Sequence, residues 1–202
     1  MNKKIGICAA VVNLLSVIGF LISMLVSSSY GSYLASIGIA FSFVTMISAF
    51  ACYGEEASKA AGITAIAFGG MYALCNSIVY FIQLTSVQSG KLTGQAAVLL
   101  DYTQLDMMFN LDMLGYCFMS VSTFFAGLTI QARNLAEKWL KWLLIVHGVF
   151  AVACFIVPLL GLFDTATSGS DAAGIFILVF WCLYFTPISA LSIRFFSKRV
   201  SA

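Results

Sequence analysis

Charge is scarce in this chain: Lys, Arg, Asp and Glu together supply 9% of its 202 residues, where a soluble domain carries roughly a quarter. No water-facing surface can be built from so few charged groups, so a soluble globular protein is excluded and a lipid-facing exterior is required. Proline is nearly absent, at two residues, and no Pro-rich, Ser-rich or charged linker divides the chain. One membrane domain over residues 1–202 is therefore expected. The single histidine, His147, leaves no His-rich metal site and no H-E-x-x-H cluster, so neither metal nor cofactor is expected. A G-x-x-x-x-G-K-[ST] phosphate cradle is missing, which argues against nucleotide hydrolysis. The basic residues are spread over four short segments rather than gathered on one face, which argues against nucleic acid as a partner.

What is present is apolar: 61% of residues are hydrophobic and the mean hydropathy is +1.02. A spanning helix needs about 20 such residues, and six segments qualify, at about 5–27, 33–53, 61–84, 111–131, 139–163 and 172–196. The expected fold class is all-α, a polytopic bundle of six transmembrane helices. The first segment follows Lys3 and Lys4, but its apolar run from Ile5 to Val26 exceeds a signal h-region of roughly 7–15 residues, so a retained anchor is favoured over a cleaved signal. All six cysteines, Cys8, Cys52, Cys75, Cys117, Cys154 and Cys182, fall in or beside apolar runs without C-x-x-C spacing. They read as small buried apolar residues rather than a disulfide or metal framework.

Orientation follows from the cations, because Lys and Arg near helix ends resist translocation. Lys3, Lys4, Lys59, Arg133, Lys138, Lys141, Arg194, Lys198 and Arg199 fall on one side of the six-helix layout and Lys91 alone on the other, with Asp101, Asp106, Asp164 and Asp171. Both termini are thus expected in the cytoplasm, in a cell membrane. The one long connection, about 85–110, is expected outside; Leu99, Leu100, Leu105, Met108 and Phe109 make it too apolar for a solvated loop. It reads as a cap on the bundle or as a lid over a site that opens outward.

Polar side chains in hydrocarbon face the bundle interior or a cavity. In the third helix Tyr72, Asn76, Tyr80 and Gln83 share one face. In the fourth, Asp112, Tyr116, Ser120, Thr123 and Gly127 form a second stripe, and Asp112 is the one acidic residue inside an expected span. Two readings of Asp112 stand open: with Tyr116 it walls a ligand or cation site below the outer segment, or it marks the interface and caps its helix. Asn13, Ser16 and Ser23 share a face of the first helix, and small residues Gly38, Ser42, Thr45 and Ala49 mark the second; close helix packing explains both. His147 is a proton or ligand contact on one reading and a hydrogen-bonded packing residue on the other. Pro158 and Pro187 fall within the fifth and sixth spans, where they free backbone carbonyls.

Three resemblances add to this. His147 and Cys154 stand seven apart, a separation similar to that in the membrane cysteine proteases that process bacterial signalling peptides. Residues 148–153 between them read as continuous helix, which sets the two about 10 Å apart along the axis, beyond direct proton transfer. The six-helix plan and chain length resemble the substrate-binding subunits of vitamin importers of the energy-coupling-factor type, with Gly6, Cys8, Ala9 and Ala10 where that family carries a partner-docking alanine pattern; the likeness is architectural. Residues 110–116 and 137–143 look like parts of a group of uncharacterised bacterial six-helix membrane proteins, covering the second half of the chain best and implying architecture without an activity. Trp139, Trp142, Lys138 and Lys141 in the latter also suit an interfacial anchor. No matching residue pattern relates the two halves of the chain.

The expectation is a lipid-embedded protein that binds or transports a small, partly apolar molecule from outside. Tyr72, Asn76, Tyr80, Gln83, Asp112 and Tyr116 would form the site, with His147 a possible further contact. A non-catalytic structural or regulatory role is the alternative and an intramembrane enzyme the third reading, with no catalytic residue set identified. Protein partners are not legible.

Overall fold

The computed structural model describes residues 1–161 and 170–199. Backbone polar groups in hydrocarbon must be satisfied within the segment, and the described chain is all-helical accordingly. Its α-helices are α1 (Asn2–Leu25), α2 (Ser29–Cys52), α3 (Lys59–Ile82), α4 (Gly94–Leu100), α5 (Met107–Thr129), α6 (Leu135–His147), α7 (Phe150–Leu159) and α8 (Ser170–Ser197). Six spans, with α6 and α7 counted as one and α3 extended on both sides, are long and apolar enough to cross a membrane. Asp164 of the expected acidic side lies outside the described residues, as does the side chain of Asp171.

The helices pack through small residues, as the absence of a hydrophobic driving force between helices in lipid requires. Ser16 lies over Gly38, where a Cβ would meet its Oγ at 2.6 Å, and Ser23 lies over Gly31 in the same way at 2.5 Å. Asn13 joins three helices: its Nδ2 donates to Ser42 Oγ of α2 at 3.0 Å, and its Oδ1 accepts from Ser189 Oγ of α8 at 2.8 Å. Gly6 faces the Phe196 ring at a distance that leaves no room for a side chain. Phe196 in turn packs on Phe50 and Tyr53, so both chain ends and the α2–α3 turn sit at one end of the bundle.

At that end Arg199 pairs with Glu137 at 3.3 Å and lies 4.1 Å over the Phe195 ring. Glu137 also accepts from the Arg133 backbone N–H and from Asn134 Nδ2, while Asn134 caps α6 by accepting from the Glu137 backbone. This reciprocal arrangement at an N-terminus fixes where α6 begins.

The fifth span differs from the continuous helix expected over 139–163. It breaks after His147: Gly148, Val149, Ala151 and Val152 all make i to i−3 backbone bonds, a tightened turn of the 3₁₀ kind. The cause is close packing. Gly148 sits where a Cβ would come within 2.8 Å of Phe124 Cβ, so α5 presses against the backbone at the one residue able to receive it. Beyond the break α7 buries none of its ten residues fully.

Candidate functional site

The end of the bundle opposite the chain termini is built around Asp112. This carboxylate has no solvent exposure (0%) and lies in the second turn of α5, past the position of a helix cap. It accepts three hydrogen bonds, all from neutral donors: Asn76 Nδ2 to Oδ1 at 2.9 Å, Tyr80 OH to Oδ2 at 2.9 Å and Tyr102 OH to Oδ2 at 3.1 Å. The spacing of four between Asn76 and Tyr80 presents both donors from one face of α3. Tyr72, one turn earlier, is buried without touching the carboxylate by hydrogen bond; its ring packs on Phe43 at 5.2 Å and Tyr116 at 6.0 Å. Gly115 lets α5 approach α3 here, since a Cβ would meet Cys75 Cβ at 3.2 Å.

Tyr102 belongs to the segment between α3 and α5. That segment is not a solvated loop: α4 is followed by a short 3₁₀ turn over Tyr102–Gln104, begun by Asp101, whose carboxylate accepts from the Thr103 backbone N–H. Gln83 fastens it, donating from Nε2 to Leu100 O at 2.8 Å and accepting the Tyr102 backbone N–H at Oε1, 3.0 Å. A buried amide thus reads the segment's backbone on both sides of Asp101. Leu100 and Tyr102 pack with Val79, Tyr80 and Met108, which holds the segment as a cap against the adjoining ends of α3 and α5. Leu105 then takes a left-handed backbone (φ 55°), which costs a leucine about 1–2 kcal/mol and turns the chain into α5. Burial, and after it the Asp112 carboxylate, hold the Tyr102 phenol well above its ordinary range, so it stays a donor.

A cavity of about 200 Å³ adjoins this group on the α5, α7 and α8 side. Tyr102 and Tyr116 stand at its wall, with Ser120, Cys154, Phe150 and Trp181. Of the six residues expected at a site between α3 and the fourth span, Tyr116 alone lines this cavity. Asn76, Tyr80 and Gln83 act behind it, through Asp112 and the cap. Tyr116 packs its ring on Tyr72 at 6.0 Å, while Tyr102 bonds Asp112 directly, so the cavity wall meets the Asp112 group at Tyr102. Tyr102 was not singled out in the sequence, because nothing in a 3₁₀ turn's spacing marks which side chain folds inward. Phe150 and Trp181 stayed hidden among the other aromatics of α7 and α8.

His147 lies below the cavity, with 1% of its surface exposed. Trp181 Nε1, which can only donate, reaches His147 Nε2 at 3.1 Å, and His147 Nδ1 lies 2.8 Å from Thr123 Oγ1. Thr123 spends its own proton on Ser120 O at 2.8 Å. The chain of donors therefore assigns the proton to Nδ1, and both ring nitrogens are occupied. Neither is left for Cys154, so His147 serves here to tie α6 to α5 and α8.

A second hollow of about 260 Å³ lies along α1 and α2, beside Asn2, Thr45 and Ser48. Thr45 and Ser48 donate their hydroxyls to Phe41 O and Val44 O of their own helix, so neither hydroxyl proton is free for a ligand there. No group of three or more His, Cys, Asp or Glu able to hold a metal occurs among the described residues. No protein-family model, curated protein or solved structure matches the chain. The site is therefore read from its own geometry.

Proposed function

We propose that this is a multi-pass protein of a cell membrane, with both termini in the cytoplasm, that binds or transports a small, largely apolar molecule through the cavity beneath the 83–106 segment, reached from the outer side. The cation distribution supports the sidedness: Lys91 stands in the connection at the Asp112 end, while the Arg199–Glu137 pair and Lys59 stand at the other. The observation that carries the reading is that a 200 Å³ apolar cavity has in its wall Tyr102, whose hydroxyl bonds a fully buried carboxylate. Binding sites of small molecules have this make-up, a mostly apolar wall with a few convergent polar groups.

The test uses Trp181 as reporter. Trp139 and Trp142, both on the exposed face of α6, are replaced by phenylalanine, leaving one indole, at the cavity. Titration of the full chain in lipid nanodiscs with 4-phenylbutanol should shift Trp181 emission saturably, and Ala153→Phe, which fills the cavity wall, should abolish the shift. An identical response in Ala153→Phe would refute the assignment.

A purely structural or regulatory role is favoured by a different observation: most polar side chains of the stripes are satisfied within the bundle, with Ser120 and Thr123 bonded to main-chain carbonyls. On that reading the stripes serve helix packing alone, and Trp181 would respond to no probe.

A further inference from the structure

The Asp112 group has too many acceptors for its donors. Asp112 receives three hydrogen bonds but no cation: the ion pairs among the described residues are Lys59–Glu56 and Arg199–Glu137, both at the opposite end of the bundle. His147 is committed at both nitrogens. Asn76 is itself fully buried, and its Oδ1, on the same amide that donates to Asp112, has no hydrogen-bond partner. A buried carboxylate without a counter-charge and a buried acceptor without a donor are each costly. One group would relieve both, a cation that carries N–H donors.

Aromatic faces surround the same point. Tyr33 stacks on Tyr80 at 5.4 Å, Tyr80 lies 6.1 Å from Tyr102, and Tyr102 lies 5.6 Å from Phe109. Such faces attract an organic ammonium. Beside them the cavity continues between α7 and α8 over Val157, Ile177 and Leu178, a wall suited to hydrocarbon and to nothing charged.

We infer that the ligand is an apolar amine, whose ammonium group sits at Asp112 in the place now held by the Tyr102 hydroxyl and whose hydrocarbon body fills the cavity between α5, α7 and α8. This rests on the binding reading above and adds the chemical class. Tyr102 is the residue that moves, since it alone both lines the cavity and bonds the carboxylate. An anionic ligand would meet the carboxylate's own charge, and a neutral one would leave that charge uncompensated.

The experiment compares 4-phenylbutylammonium with 4-phenylbutanol, matched in shape, on the full chain in nanodiscs, with empty nanodiscs correcting for partition into lipid. Trp181 emission should report tighter binding of the amine by about tenfold or more, the worth of a charge-assisted bond. Asp112→Asn should reduce that preference to about twofold or less. Should Asp112→Asn fail to fold, 4-phenylbutyl-trimethylammonium on the unmodified chain decides instead, because it keeps the charge but carries no N–H: binding about tenfold weaker than the primary amine supports the inference, and binding as tight as the primary amine overturns it. Equal binding of amine and alcohol, with the loss in Ala153→Phe intact, would overturn the amine assignment and leave the cavity reading standing. A preference for the amine that survives in Asp112→Asn would likewise overturn it. If neither probe shifts Trp181, the cavity reading itself fails. An equal, saturable shift of Trp181 emission with sodium chloride alone would overturn the requirement for an apolar body.

Discussion

Replacing Gln83 by leucine should free the segment that covers the Asp112 group. The side chain makes two hydrogen bonds to that segment, to Leu100 O and from the Tyr102 backbone N–H, and leucine keeps comparable bulk while making neither. At about 1 kcal/mol net for each bond, the closed position loses about 2 kcal/mol, which raises the open fraction about thirtyfold. Amide exchange measures this directly, since local opening sets the protection of these amides. In nanodiscs, the peptide covering 94–106 should exchange about thirtyfold faster in Gln83→Leu, most of all at Tyr102, whose N–H loses its acceptor. Gln83→Glu keeps the acceptor for Tyr102 but sets a carboxylate against Leu100 O, and should fall between the two. Thr85→Val is the control, because Thr85 bonds only to Phe81 O of its own helix. Unchanged exchange over 94–106 in Gln83→Leu would refute the view that this amide holds the cap.

His147→Phe preserves the packing volume but leaves the Trp181 N–H without an acceptor, an expected loss of about 1–3 kcal/mol visible as a lower Tm in detergent; an unchanged Tm would contradict the assigned bond. Gly127→Val would set its Cβ 2.7 Å from Ile145 Cγ1 and 3.1 Å from the Lys141 carbonyl, forcing α5 from α6 at an expected cost of about 1–3 kcal/mol. Gly70→Ala, with nothing within 4 Å of the added carbon, should instead raise Tm slightly, as alanine is favoured over glycine by about 0.5–1 kcal/mol inside a helix.

The helices were legible in the sequence because lipid imposes one rule on every residue: a run of about 20 apolar side chains, whichever they are, spans. Asn13, Asn76, Tyr80 and Asp112 were legible for a related reason, since a polar group in hydrocarbon must turn inward and its spacing names the face. The same logic found the stripe in α5 and set Asp112 with Asn76 and Tyr80 at one site, but not the bonds between individual side chains. That Thr123 meets His147, or that Asp112 meets Asn76 and Tyr80, depends on how α5 and α6 rotate against their neighbours, and no periodicity encodes that. The break at Gly148 was missed because the residues around it are as apolar and helix-compatible as their neighbours. Only the pressure of Phe124 on the Gly148 backbone distinguishes the position. The cavity lies along α7 and α8, whose uniformly greasy sequence has no stripe at all, so what walls it emerged from packing.

The proposed site requires that the Asp112 end of the six spans face outside. The direct measurement is sided labelling of single cysteines, introduced at Lys91 and at Lys138 in a chain whose six native cysteines are replaced by alanine. A membrane-impermeant maleimide applied to intact cells should modify the cysteine at position 91 and reach position 138 only after permeabilisation. Labelling of position 138 in intact cells with position 91 protected would contradict it.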